Sequence, residues 1–170
     1  MARLNAGQVT LRREWQSIEE VVGSSIKLLG SALADHTVKV DLPADLPLVE
    51  FDAVLVERVF CNLLENAAKY APANTPIQLS ARLIDHFIEV SVEDCGPGFP
   101  EHRRDELFNM FVRGHSASGK PRTSLGLAIC KAIVEAHGGQ IRAGNRTEGG
   151  ANVSFTLPAG NPPIVEEERL

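Results

Sequence analysis

One stretch of this chain can fold in few ways. After Asp52, the residues Val56, Phe60, Leu63 and Ala67 recur at helical spacing as far as Tyr70. At 100° per residue, Asn62, Glu65, Asn66 and Lys69 fall within about 100° of arc beside that apolar stripe. Such a helix buries one stripe and turns its neighbour toward a cleft or solvent. Asp52 is placed to cap it.

The polar stripe has a chemistry of its own. Amide oxygens are hard donors suited to Mg²⁺, which keeps several waters and takes few protein ligands. Lys69 adds a point charge for phosphate. A solvated helix face is the plain alternative. Asn is a poor helix former, however, and two in adjacent turns of an apolar helix carry a cost.

A second signal stands about thirty residues on. An apolar stretch ends in Asp94-Cys95-Gly96-Pro97-Gly98. An ionised Asp accepts hydrogen bonds and donates none, which suits the amino group of adenine. Guanine presents an acceptor at that place. Gly96 and Gly98 allow a sharp turn that approaches a planar base. Alone, Asp-x-Gly is also a common turn string. Together the two segments describe a pocket for a purine nucleotide and its magnesium.

The rest of the chain predicts an α+β fold. An edge strand is expected within 9–15 and a helix over 17–32, with Ser17 and Glu20 as a capping box. Strands follow over 37–42, 77–84 and 87–93, the last two joined at Asp85-His86. Helical turns are expected over 103–108. Residues 113–123 read as a long polar loop. A helix over 124–137 stops at Gly138-Gly139, and strands over 140–143 and 153–157 close the domain. Helices and strands mix without strict βαβ alternation, so the expected architecture is a mixed sheet with helices on one face, a two-layer α/β sandwich.

Bulk properties remove other classes. With 170 residues, one domain with its own core is expected. The net charge of -5 argues against a general nucleic-acid binder. No apolar run approaches the ~20 residues of a membrane span, so no membrane contact is expected of this fragment. Cys61, Cys95 and Cys130 are widely spaced and form no Cys-x-x-Cys pair, which fits reduced thiols.

Read in order, Asn62-Leu63-Leu64-Glu65-Asn66-Ala67-Ala68-Lys69-Tyr70, the Asp94 turn, Phe108-Asn109-Met110-Phe111, Leu125-Gly126-Leu127 and Gly149-Gly150 resemble the ATP-binding catalytic domain of bacterial sensor histidine kinases. The resemblance covers roughly residues 11–158. It implies the α/β sandwich shared with Hsp90 chaperones and type II topoisomerase ATPase subunits. It also implies ATP and Mg²⁺ as cofactors. On the matching positions, Asn66 would coordinate Mg²⁺ with help from Asn62. Lys69 would contact phosphate, Tyr70 would pack near the sugar or base, and Glu65 would lie near the γ-phosphate. These four, Asn62, Glu65, Asn66 and Lys69, form the expected catalytic set. Asp94 would be the adenine contact, with Gly96 and Gly98 shaping its turn. Phe108 and Phe111 would stand at the base of a lid, Arg113 near the phosphates, and Ser124, Leu125, Gly126 and Leu127 at a phosphate-facing helix start. Further runs, Leu11-Arg12-Arg13-Glu14-Trp15-Gln16 and Asn145-Arg146-Thr147-Glu148-Gly149-Gly150-Ala151, resemble the potassium-responsive sensor kinases of the Kdp type.

The resemblance departs at one place. The family carries glycines two and four positions ahead of Gly126, where this chain has Ser124 and Arg122. That sets a second expectation, a degenerate nucleotide-binding or pseudokinase domain with weak or no ATP binding. None of His36, His86, His102, His115 or His137 has the context of a phosphoacceptor. The resemblance therefore implies phosphoryl transfer to a histidine on a separate dimerisation domain, with a cognate response regulator downstream. Residues 1–13 are expected to be the end of a hairpin helix and its linker, 14–158 the catalytic domain, and 159–170 an acidic tail. The expected setting is the cytoplasmic part of an inner-membrane sensor.

Overall fold

The computed structural model describes residues 10–99, 108, 113–115, 121–123 and 125–160. Five strands form the main sheet: β2 (Val38–Asp41), β4 (Ile77–Ile84), β5 (Phe87–Glu93), β8 (Ile141–Asn145) and β9 (Ala151–Pro158), in the order β2-β4-β5-β9-β8. Only the β2–β4 pair is parallel. Side chains alternate across a strand. Ile77, Leu79, Ile88, Val90, Val92, Val153, Phe155 and Leu157 are therefore buried on one face. The other face carries Gln78, Arg82, Glu89, Glu93 and Thr156, none of them buried.

The helices cover the apolar face. They are α1 (Ile18–Leu29), α2 (Ala53–Tyr70) and α3 (Leu125–Ala136). Val56, Phe60, Leu63 and Ala67 of α2 are all buried, as their spacing predicts. Phe60 meets Phe155 of β9 edge to face, with ring centroids 5.5 Å apart, a preferred aromatic geometry. The mixed sheet with helices on one face is the α+β sandwich expected from the sequence.

Several local expectations need correction. Ser17 precedes α1 but makes no side-chain capping bond. The helix ends early, at Leu29, because Gly30 turns to φ 45° and a 3-10 turn follows. Leu28, in its last turn, is 69% exposed. A short strand that the sequence pattern does not signal, β3 (Val49–Phe51), pairs with β1 (Glu14–Gln16) and leads directly into α2. Residues 113–123 are not loop throughout: β6 (Arg113–His115) and β7 (Pro121–Thr123) pair antiparallel, with Gly114 opposite Arg122. The expected helical turns at 103–108 fall outside the described residues except for Phe108.

Asp52 and His137 knit the helices together. The Asp52 carboxylate accepts from Leu55 N at 3.2 Å, which caps α2, and from Arg12 N at 3.0 Å. Its own N–H donates to His137 Nε2 at 3.0 Å, while His137 Nδ1 faces Ile133 O at 2.8 Å. An imidazole that accepts at Nε2 donates at Nδ1, so the neutral tautomer fits both contacts. Burial, with Arg13 nearby, lowers the His137 pKa; the Ile133 carbonyl and Asp52 oppose this.

The β8–β9 turn presses on the end of β5. Gly150 has φ 107°, and a Cβ there would stand 2.0 Å from the Asp94 carbonyl oxygen. No side chain fits without separating the two segments.

Two tests follow from this packing. Below the usual His pKa of about 6.5, the unfolded chain takes up a proton that folded His137 resists. This group's contribution to stability should be complete above about pH 6.5 and fall as pH drops toward the lowered folded value. Denaturant melts from pH 5 to 8 should show that fall in the parent and lose it in His137→Gln. In the second test, Gly150→Ala should destabilise by at least about 1–3 kcal/mol from backbone strain alone. Gly23→Ala, in α1 with nothing within 4 Å of its added Cβ, should instead stabilise by about 0.5–1 kcal/mol. Equal effects at the two glycines would contradict the close approach at Asp94.

Candidate functional site

The polar stripe of α2 opens onto a cavity. Asn62, Glu65, Asn66 and Lys69 line it together with Gly126 and Leu127 at the start of α3, and its volume is about 140 Å³. Glu65 and Lys69 are exposed, and Asn62 and Asn66 are half-buried. Asn62 Nδ2 lies 3.4 Å from the Gly126 carbonyl, so the first amide is tied to α3. Gly126 faces Asn62 with room to spare: a Cβ there would lie 3.9 Å from the nearest Asn62 atom, an ordinary van der Waals contact. A helix start offers unpaired N–H groups to an anion. The cavity thus sets amides, a carboxylate, an ammonium and a helix N-terminus side by side.

The glycine turn meets the other end of the same helix. A Cβ on Gly96 would stand 2.9 Å from the Tyr70 carbonyl oxygen and 2.9 Å from Asp94 Oδ1. Only glycine permits that approach. Lys69 Nζ lies 5.6 Å from the Tyr70 ring centroid, at cation–π range. The site therefore runs along α2, from Asn62 and Gly126 at one end to Tyr70 and Gly96 at the other.

Asp94 is 4% exposed and firmly seated. Its Oδ1 accepts from Gly96 N at 2.8 Å and from Ala151 N at 3.4 Å, while its own N–H donates to Ala151 O at 3.0 Å. Gly98 has φ 78°, and a Cβ there would fall 2.4 Å from Asn145 Oδ1. The turn is shaped by its neighbours as much as by its own glycines.

The remaining expected positions are described unevenly. Phe108 is half-buried and packs against the core. Arg113 lies in β6 and Arg122 in β7; Leu125 begins α3. Ser124 and Phe111 fall outside the described residues. Among the described residues, no group of His, Cys, Asp and Glu is arranged to hold a metal through those residue types. Burial pushes the Cys130 thiol up to about 12, so it packs as a neutral apolar group.

Two residues at this site were not marked as functional from the sequence. Asn145 bonds the Phe99 backbone twice: Phe99 N donates to Oδ1 at 2.7 Å, and Nδ2 donates to Phe99 O at 2.9 Å. Arg146 Nη1 donates to Asp94 O at 3.2 Å, and Nε pairs with Glu93 at 3.4 Å. They stand just ahead of the Gly149-Gly150 turn, yet nothing in the sequence tells which strand they reach.

Comparison with known proteins agrees with this geometry. Residues 51–161 match the family of histidine kinase-, DNA gyrase B- and HSP90-like ATPases. The sensor protein KdpD of Escherichia coli K12 is 44% identical over 98% of this chain, which spans 19% of that relative's length. The mycobacterial sensor histidine kinase MprB is 30% identical with a TM-score of 0.78, covering 88% of this chain and all of that one. Full-length ShkA in complex with AMPPNP is 26% identical with a TM-score of 0.79, over 95% of this chain and 35% of that one. ThkA in complex with the response regulator TrrA is 26% identical with a TM-score of 0.75, over 88% and 42% of the two chains. The chain belongs to the histidine kinase-, DNA gyrase B- and HSP90-like ATPases, as an ATP-binding catalytic domain of the sensor histidine kinase kind.

Proposed function

We propose that this domain transfers the γ-phosphoryl group of ATP to a histidine on a separate dimerisation and phosphotransfer domain, from which a cognate response regulator takes it. One observation carries the reading: a single helix, α2, lines a polar cavity at the start of α3 and touches a buried carboxylate turn one end further on. A triphosphate and a base need two such environments, one polar and open and one with a seated hydrogen-bond acceptor. The likeness to KdpD over nearly the whole chain supports a potassium-responsive parent. The need for ATP puts the domain on the cytoplasmic side of such a sensor.

Each residue then has a task. Asp94 accepts from the adenine amino group. Asn66, with Asn62, offers amide oxygens to Mg²⁺, and the cavity beside them has room for an ion with part of its water shell. When bound, Mg²⁺ would neutralise charge on the phosphate oxygens. Lys69 adds a positive charge there, and Arg113 would add another. Tyr70 flanks the base or sugar. Glu65 faces the same cavity, near the terminal phosphate. Gly96 and Gly98 shape the base turn, while Leu125, Gly126 and Leu127 present the first turn of α3 to the phosphates. Catalysis in this scheme is positioning and charge neutralisation, with little covalent chemistry from the domain itself. Residues 1–13 would be the end of a hairpin helix and its linker from the acceptor domain, with Leu11 packing on the core of this domain and Arg13 donating to the Ala136 carbonyl. Residues 159–170 would continue as a tail beyond the packed Ala159.

The degenerate alternative finds no support in the matches. Arg122 lies in the extended strand β7, backbone that any residue adopts.

Three measurements check the proposal. ATP should bind at least tenfold more tightly than GTP, and Asp94→Ala should weaken ATP by about 1–3 kcal/mol. Competition by GTP equal to ATP would remove Asp94 from base recognition. Asn66→Ala should weaken Mg²⁺-dependent ATP binding more than metal-free ADP binding, as titration calorimetry would show; equal losses would make Asn66 structural. Radiolabelled phosphate from ATP should appear on an added phosphotransfer domain and not on this chain, and label retained by the chain in acid-labile form would overturn the transfer in trans.

A further inference from the structure

The turn that carries Asp94 is gripped from behind at both ends. At its start, the Arg146 guanidinium is shared among four partners. Nε pairs with Glu93 at 3.4 Å, Nη1 donates to Asp94 O at 3.2 Å and lies 3.6 Å from Cys95 Sγ, and Nη2 pairs with Glu148 at 3.3 Å. The Arg146 backbone is anchored in turn, with N donating to Gly150 O at 2.9 Å and O accepting from Gly149 N at 3.1 Å. A planar guanidinium with fixed N–H directions can satisfy this set in one orientation; a lysine ammonium cannot. At the far end of the turn, Asn145 acts as a substitute strand partner for Phe99, donating one bond and accepting another. Both grips come from adjacent residues at the end of β8.

We propose that Arg146 and Asn145 are positioning residues for base recognition: they clamp residues 94–99 at the two ends and so fix where the Asp94 carboxylate sits. The inference rests on the reading of Asp94 as the adenine contact. Neither residue is assigned to touch the nucleotide. Displacing a recognition group by about 1 Å can cost on the order of a hundredfold in an interaction that depends on alignment. A clamp therefore governs selectivity without contributing a contact.

The test uses the folded chain and the variants Arg146→Met, Arg146→Lys and Asn145→Ala. Affinities for Mg-ATP and Mg-GTP are measured by calorimetry, and amide exchange at Gly96 and Phe99 is followed in the nucleotide-free chain. All three variants should lose about tenfold or more in ATP affinity, with GTP affinity little changed, so that the ATP-to-GTP ratio falls toward one. Arg146→Lys should follow Arg146→Met, because it keeps the charge and loses the fork. Exchange should quicken at Gly96 or Phe99 while the β4–β5 amides hold their wild-type rates. Variants that keep the wild-type ratio overturn the clamp, whether or not they melt earlier. Faster exchange throughout the sheet with an unchanged ratio does the same, by showing a purely structural role. If the wild-type chain itself binds ATP and GTP equally, the Asp94 reading fails and the clamp fails with it. Asn145→Ala and Arg146→Met act on different bonds, so misfolding of one leaves the other to decide.

Discussion

Everything at the site depends on α2 being buried along one stripe. Phe60, Leu63 and Ala67 lie against the sheet, and the Phe60–Phe155 contact sets the helix on β9. Once that stripe is fixed, helical geometry leaves no choice for the next one. Asn62, Glu65, Asn66 and Lys69 must face the gap beside α3. Burying each large apolar side chain is worth about 1.5–3 kcal/mol, so the orientation of the amides is set by forces that have nothing to do with nucleotide. Asp52 caps the start of the same helix, and through its backbone N–H it is bonded to His137 at the end of α3.

The two ends of the site differ in stiffness of construction. The Asp94 end is crowded by backbone. Gly96 sits against the Tyr70 carbonyl, Gly150 against the Asp94 carbonyl, and Ala151 bonds Asp94 through its main chain in both directions. The Asn62 end is built from side chains on helix surfaces, two of them exposed. That division suits a ligand with one rigid planar part and one flexible charged part. A planar base is told from another by hydrogen bonds that tolerate little displacement, whereas charges act over longer range.

Glycine does two separate jobs in this arrangement. At Gly150 and Gly98 the backbone lies at positive φ, which other residues hold only at a cost. At Gly96 the constraint is room, since a side chain would meet the Tyr70 carbonyl and the Asp94 carboxylate. A substitution at Gly150 or Gly98 would therefore meet both backbone strain and collision, and one at Gly96 collision alone.

The sequence by itself determined most of the local elements and marked the two segments that meet along α2. The periodicity of 53–70, the Asp52 cap, and the strands 77–84 and 87–93 with their turn at Asp85 are local signals, and they match the structure. The amides stood out because two Asn in adjacent turns of a helix carry a cost, whereas the Asp94 turn is a common string that gained meaning only beside them. What the tertiary structure decided is who meets whom. Short strands such as β3, β6 and β7 carry too few residues to show a period, and they exist because a partner strand completes their hydrogen bonds. Ser17 had the pattern of a cap and did not use it. Asn145 and Arg146 stand just beyond the strand expected over 140–143. Their bonds cross β9 to the far end of β5, about fifty residues back in the chain, and local sequence carries no record of a contact made at that distance.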